Sequence, residues 1–524
     1  MEIQKSNTEA KFNELDSKKG SLMARSEQYA RWTLPSVFLP NGTPHETEVQ
    51  QDMQSIGARA VNHLSNKLTL ALFRPHAPFF RLDVSPKFMQ QLTTTGLSEA
   101  QVNLALSRAE KEALKKLNKR GSRTAITNAM KHLLVVGNCL IFLPPDDANI
   151  QVYSLRDYVV QRDLSGKVLL IITKDSRALE TLPIEVQAAI KQSKPELKDT
   201  DDVNLYTRID LQSDGRYFVT QAANDVDLPG TIDVKTEETS QKVRGIYKAS
   251  NLPWIPLTWN LPRGWSYGIG LVEDYSGDFH ALSTLSEAMV IGAAIAADLK
   301  FLVDPTGATD VKTLNDAKSG SYVAGRKDDI HALQVDKQAD WNIVLQIIGS
   351  YEKRIGLAFL LGSAVTRDAE RVTAEEIRYQ AQELETSLGG VYSRLAEELQ
   401  LPLANILLDD INIGDKTKIE PVILTGLESL SRNTELENIM LFLQDLNLVS
   451  QLSEQVQRRM KIAEFMAYVG SARGVDYEKF TKDEATVQQE IQQEQQAQVN
   501  MQNQMEQAKA MNQAAAQGVM KNAG

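Results

Sequence analysis

Between residues 340 and 403 the apolar positions recur twice at helical spacing, with a polar break between the two runs. The first run extends from Asp340-Trp341 to Leu361, and the break is Gly362-Ser-Ala-Val-Thr-Arg-Asp-Ala-Glu-Arg-Val372. From Thr373 the second run places Ile377, Ala381, Leu384, Leu388, Val391, Leu395 and Leu399 on one continuous face, which predicts a long amphipathic helix. Thr373-Ala-Glu-Glu376 has the form of a capping box, in which the hydroxyl takes an orphan amide and the carboxylate reaches back. A cap of this kind contributes about 1 kcal/mol. Gly389-Gly390 falls inside the second helix. Each glycine there costs about 1 kcal/mol against alanine, so the pair predicts a kink or a close packing contact.

Upstream, residues 8–32 read as a polar helix ending in Tyr29, Trp32 and Pro35, and residues 51–73 as an amphipathic helix stopped before Pro75. Ser98 with Gln101 starts a helix to about Lys119, and Thr124–Val136 reads as another. The period then shortens. Cys139–Leu143, Gln151–Ser154, Asp157–Gln161, Val168–Thr173, Val203–Leu211 and Tyr217–Gln221 read as short strands, with turns at Asp163–Gly166 and Ser213–Gly215. The N-terminal half is therefore expected to be one α+β domain. An apolar helix is predicted over 279–302, broken by Asp304-Pro-Thr-Gly307. A compact insertion over 303–338, with strands at Ser321–Ala324 and His331–Val335, leads to the helix over 340–361. Residues 425–482 read as helical, with a capping box at Thr434 and Glu437. Beyond 484 glutamine dominates and no apolar stripe is sustained, which predicts a frayed helix or disorder.

Composition narrows the function classes. The chain has 524 residues, 57 Lys plus Arg against 68 Asp plus Glu, and a net charge of −11. That balance argues against a protein that grips nucleic acid by neutralising phosphates, though not against one past which DNA slides. The single cysteine, Cys139, lies in an apolar run and reads as a core residue of a protein folded in a reducing compartment. The first twenty residues are polar and lack a secretory pattern. The most membrane-like run, Ala288–Ala297 between Glu287 and Asp298, is short of the roughly 20 apolar residues a span needs. It reads as a buried helix segment.

Enzymatic signatures do not assemble. Gly320-Ser-Tyr-Val-Ala-Gly325 has phosphate-loop spacing, but Arg326 and Lys327 stand where Lys and Ser/Thr belong. Gly264, Gly268 and Gly270 do not form a dinucleotide fingerprint, and Gly362-Ser363 lacks the frame of an esterase elbow. The six histidines have no metal-pair spacing. Asp146-Asp147, Asp201-Asp202 and Asp409-Asp410 read as solvated surface pairs. No catalytic residue, metal or cofactor is expected.

The stretch GSAVTRDAERVTAEEIRYQAQELETSLGGVYSRLAEELQLPL resembles the channel loop and following helix of the portal proteins, or head–tail connectors, of short-tailed phages of the autographivirus kind. SIGARAVNHLSNKLTLALF (55–73), LLVVGNCLIFLP (133–144), YVVQRDLSGKVL (158–169), YGIGLVEDYSGDFHALSTLSEAMV (267–290) and PVILTGLESLSR (421–432) agree in the same order. The likeness runs from about Arg25 to about Phe480.

The resemblance implies an α+β, mainly helical subunit. It would comprise a wing (1–272), a first stem helix (273–302), a small α/β clip (303–338) and a second stem helix (339–361). A channel loop (362–372), a long kinked wing helix with its return (373–424), a helical crown (425–482) and a flexible Gln-rich tail (483–524) would follow. It implies a homo-oligomeric ring of about twelve subunits at one capsid vertex, assembled in the host cytoplasm. Double-stranded DNA would pass through it. Its partners would be the terminase packaging motor, then a tail adaptor, and the major capsid, scaffolding and internal core proteins, with no membrane. Arg367, Asp368, Glu370 and Arg371 would face the channel, the two arginines touching passing phosphate. The plain alternative for that loop is a helix–helix connection with surface ion pairs. For the whole chain the alternatives are a non-channel scaffold or interaction protein, or a terminase-like nuclease or ATPase.

Overall fold

The computed structural model describes residues 7–361, apart from 41, 44–48, 50, 74–77, 96–97, 146–147, 229, 231, 236–239, 298–299 and 334–337, and then 383–384, 386–388, 390–411, 419–423, 440–442, 444, 447, 465 and 469. The chain divides into two compact units, Met1–Gly426 and Leu427–Gly524. Of the second unit only the last seven of those residues are described, and all are helical. The capping boxes at Thr373 and Thr434, most of the 425–482 segment and the Gln-rich tail lie outside the described residues.

The first unit is organised around an antiparallel sheet. Its order is Gly245–Lys248, Arg216–Ala223, Asp202–Leu211, Val168–Ala178 and Tyr158–Arg162, with the short strand Val226–Asp227 beside the second. The strands at 158–162 and 168–172 read as unbroken apolar runs because both faces are covered. Tyr158, Val160 and Ile171 enter the main core. Val159, Leu170 and Ile172 instead meet Phe12 and Leu15 of an N-terminal helix, and the Phe12 and Tyr206 rings lie 5.4 Å apart. A smaller sheet, Trp254–Thr258, Asn138–Phe142 and Gln151–Tyr153, holds Cys139 at 0% exposure. Pro256 sits on an edge strand of that sheet, where its missing N–H breaks no ladder. Cys139 is thus a core residue, and burial pushes its thiol pKa up.

Several elements differ from expectation. The helix predicted over 8–32 is two helices, Thr8–Ser17 and Gly20–Trp32. Between them Lys19 is buried, its Nζ bonded to the carbonyls of Leu155 and Tyr158 and to Asp16 at 2.5, 2.8 and 2.9 Å. The Ser98–Gln101 capping box forms as predicted and opens the helix Glu99–Lys119. Helices at Pro86–Thr94 and Ile184–Ser193 have no counterpart in the sequence reading, nor does the pairing of Phe80–Val84 with Ile419–Ile423.

The helix predicted to run to residue 302 stops at Ala297. Lys300–Val303 turns into a strand that pairs with Ile330–Leu333, while Ser321–Ala324 forms no strand. The apolar run 299–303 suits either period, and a partner strand settles it. The long helix predicted from 373 is not merely kinked at Gly389-Gly390. Gly390 takes φ +85, and a new helix begins at Val391. A π turn over Ala396–Gln400 then precedes Leu401–Asp410. Pro402 has no N–H for the Glu398 carbonyl, and the wider turn accommodates the ring.

Asp409 and Asp410 are not solvated. The Asp409 carboxylate accepts from the Asn251 amide, and Asp410 pairs with Arg120 at 2.7 Å.

An uncovered apolar helix pair as the candidate functional site

The segment Leu271–Ala297 leaves the core at a crowded point. Gly137 has φ +80, and a Cβ there would lie 2.4 Å from the Gly270 nitrogen. Only glycine takes that conformation freely. Beside it the Asn138 side chain donates to the Gly268 carbonyl at 2.8 Å and accepts from the Gly268 N–H at 2.7 Å. These contacts set the direction in which the helix Ser276–Ala297 departs.

That helix is 22 residues long and packs along Gln338–Ala358. Near the core the contact is aromatic. Phe359, just past the second helix, meets Phe279 at 5.9 Å and Tyr275 at 6.2 Å between ring centroids. Arg354 pairs with Asp278 at 2.7 Å and lies over the Tyr351 ring. Farther out, Gly292 admits Trp341 so closely that a Cβ would sit 1.8 Å from the indole.

Away from this seam the two helices are bare. Only Phe279 and Leu282 of the first are buried. Val290, Ile291 and Ile295 are exposed, as are Ile343, Leu345, Ile347 and Leu357 of the second. The first helix has a mean hydropathy of 1.4 over 18 residues, with 11% of that window buried. It is long and apolar enough to cross a membrane by length and composition. The expectation of a buried helix segment at 288–297 therefore fails within one chain. An exposed apolar face of this extent marks an interaction surface.

The small unit between the helices has almost no apolar core. Among the described residues of 300–333 only Asp329 is buried. Its carboxylate accepts from the Thr309 hydroxyl at 2.8 Å and the Thr309 N–H at 3.1 Å, and its carbonyl from the Asp304 N–H at 2.9 Å. Asp310 caps the helix Val311–Asp316. Polar turns thus hold this unit, while Phe301, Leu302, Leu314 and Tyr322 face outward.

Arg367, Asp368, Glu370 and Arg371 lie outside the described residues. The sequence reading identified the two helices but not their exposure. Its available signal was the unbroken apolar character of 288–297, without the polar stripe of a half-buried helix. For an enzymatic reading the described residues supply little. No group of three or more His, Cys, Asp or Glu among them is placed to hold a metal ion. A depression of about 770 Å³ is lined by Arg123, Thr124, Asn128, Lys131 and Asn149, without a nucleophile beside a base.

The family described as bacteriophage head to tail connecting protein matches residues 5–480. The portal protein of Enterobacteria phage SP6 is 34% identical over 486 residues, 92% of this chain and 91% of its own length. That of Escherichia phage T7 is 36% identical over 439 residues, 82% of this chain and 80% of its own. That of Pseudomonas phage phiKMV is 32% identical over 480 residues, covering 91% and 92%. Among solved structures, the neck of an empty gene transfer agent particle overlaps 77% of this chain and 89% of its own. Its TM-score is 0.35 and its identity 11%, too loose a superposition to argue from.

Proposed function

The chain belongs to the bacteriophage head to tail connecting protein family, and from that premise we propose that it works as a portal, the conduit through which a phage genome enters and leaves the capsid. Relatives named portal protein align with 82–92% of its length, and that relation carries the reading. The uncovered helix pair supports it. Seven exposed aliphatic side chains on two adjacent helices are covered if copies of the same subunit stand side by side in a ring.

In this arrangement the helices at 276–297 and 338–358 form the stem of a ring of about twelve copies in the virion, at one vertex. The unit at 300–333 is the clip. Its outward apolar residues suit the terminase motor during packaging and a tail adaptor afterwards, and its lack of a core suits burial by neighbours. The remainder of the first unit is the wing, against which capsid, scaffolding and internal core proteins assemble in the host cytoplasm. The protein holds and passes DNA without chemistry of its own. An interaction protein that makes no channel would also cover an apolar face, but would not close on itself. Negative-stain images of the purified chain decide between them: closed rings with a central hole are expected, and a monodisperse monomer or dimer overturns the portal reading.

Residues 362–372 form the channel loop, where Arg367 and Arg371 meet passing phosphate with Asp368 and Glu370 limiting the grip. Two exposed charges per subunit give a modest, salt-screened attraction. Replacing both arginines by Ala should spare folding and ring assembly, since exposed charges contribute about 0–1 kcal/mol, and should alter packaging or retention of DNA. Particles that package and eject like the parent across a range of salt would return the loop to a plain helix–helix connection.

A further inference from the structure

Both ends of the span 362–382 rest on one face of the helix Ile56–Leu72. On the entering side the second stem helix ends at Ala358, and Leu360 takes φ +58. A left-handed leucine costs about 1–2 kcal/mol, so its surroundings must hold it there. His63 hydrogen-bonds the Leu360 backbone, and Phe359 beside it is fully buried. On the returning side Glu383 accepts from the Lys67 ammonium at 2.5 Å. The Lys67 side chain is 3% exposed, and lysine is almost never so buried without a partner. His63 and Lys67 are four residues apart, so they stand one above the other on the same helix face. The returning chain continues along that helix. Tyr392 donates to the Ala71 carbonyl at 3.0 Å, and Gln400 to that of Leu72, taking carbonyls that a helix end leaves without internal partners.

We propose that His63 and Lys67 are positioning residues for the span that carries Arg367 and Arg371: together they fix where the chain leaves and re-enters the wing. The inference rests on the channel-loop reading only for its consequence in DNA transit. A buried ion pair adds little net stability over an apolar pair of the same shape. What it adds is register, because Glu383 must meet one nitrogen whereas a leucine could slide by a turn. Burial and then the Lys67 charge push the His63 pKa below its usual range, so the ring stays neutral beside the ammonium near pH 7.

The test uses full-length protein carrying Lys67→Met, Lys67→Arg, or the exchange Lys67→Glu with Glu383→Lys. Tryptic cleavage at Arg367, Arg371 and Arg378 is followed by mass spectrometry, with DNA packaging measured in parallel. Lys67→Met should accelerate cleavage at those three sites roughly fivefold over the rest of the digest, because an untethered end opens more often. Lys67→Arg and the exchange should return it toward the parental rate. If Lys67→Met fails to fold, recovery in the exchange decides in favour of the pair. Unchanged cleavage in Lys67→Met, or an exchange no better than that single variant, overturns the proposal. Faster cleavage with parental packaging keeps the positioning role and removes the channel assignment of the loop instead.

Discussion

Ile291→Asp combined with Ile295→Asp is expected to leave the subunit folded and to abolish ring assembly. The two side chains are 52% and 59% exposed in the single chain, so the fold makes little use of them. Covering an isoleucine side chain contributes about 1.5–3 kcal/mol. Each neighbour contact in a ring repeats that gain, and ring closure multiplies it. An aspartate at the same place reverses the sign, since an unpaired carboxylate taken from water costs several kcal/mol. Circular dichroism and thermal melting of the variant should resemble those of the parent, while sedimentation velocity should show monomer in place of a large oligomer. Rings of parental size would place the subunit interface elsewhere. An unfolded variant would mean that these helices are needed within the subunit rather than between subunits.

Asp410→Ala should lower the stability of the first unit by about 3–5 kcal/mol, the range for removing one partner of a buried ion pair. Arg120 ends the helix Glu99–Lys119 with 1% of its side chain exposed, and Asp410 ends the helix Leu401–Asp410 at 22%. Between them they join segments 290 positions apart. Lys116 also donates to the Asp410 carbonyl at 2.7 Å. The alanine variant leaves a guanidinium in a space that water reaches poorly. Arg120→Met together with Asp410→Leu should recover most of the loss, because the charge to be solvated is gone. Chemical denaturation of the two variants beside the parent measures both effects. An Asp410→Ala protein as stable as the parent would make this an ordinary screened surface pair, worth about 0–1 kcal/mol.

The contrast between Ser98 and Asp410 illustrates what could be read in advance. The Ser98–Gln101 box is complete within four residues, and its hydrogen bonds form as the spacing predicts. The paired aspartates at 409–410 look like any solvated pair, because the arginine that claims Asp410 is remote in sequence. The strand Phe80–Val84 alternates buried and exposed residues. What qualifies it as a strand is Ile419–Ile423, more than three hundred residues on. Lys300–Val303 was ambiguous for the same reason. Gly390 shows an intermediate case. The glycine pair announced an interruption, but whether the helix bends or restarts depends on the φ that packing imposes.

The candidate site divides in the same way. Two long apolar helices with a polar insertion between them follow from periodicity, and the likeness to portal proteins from six stretches in order. The arginines of the loop remain a reading of the sequence. That Gly292 receives Trp341, that the outer helix faces stay bare and that Lys67 reaches Glu383 are products of the tertiary structure. By itself the sequence determined the elements governed by neighbours one to four residues apart: helices, caps, turns and doubly covered strands. Tertiary structure decided which charges are buried, which remote strands pair and which apolar faces stay open. Those outcomes depend on contacts between residues far apart in the chain, and their free energy is realised only when the whole fold brings them together.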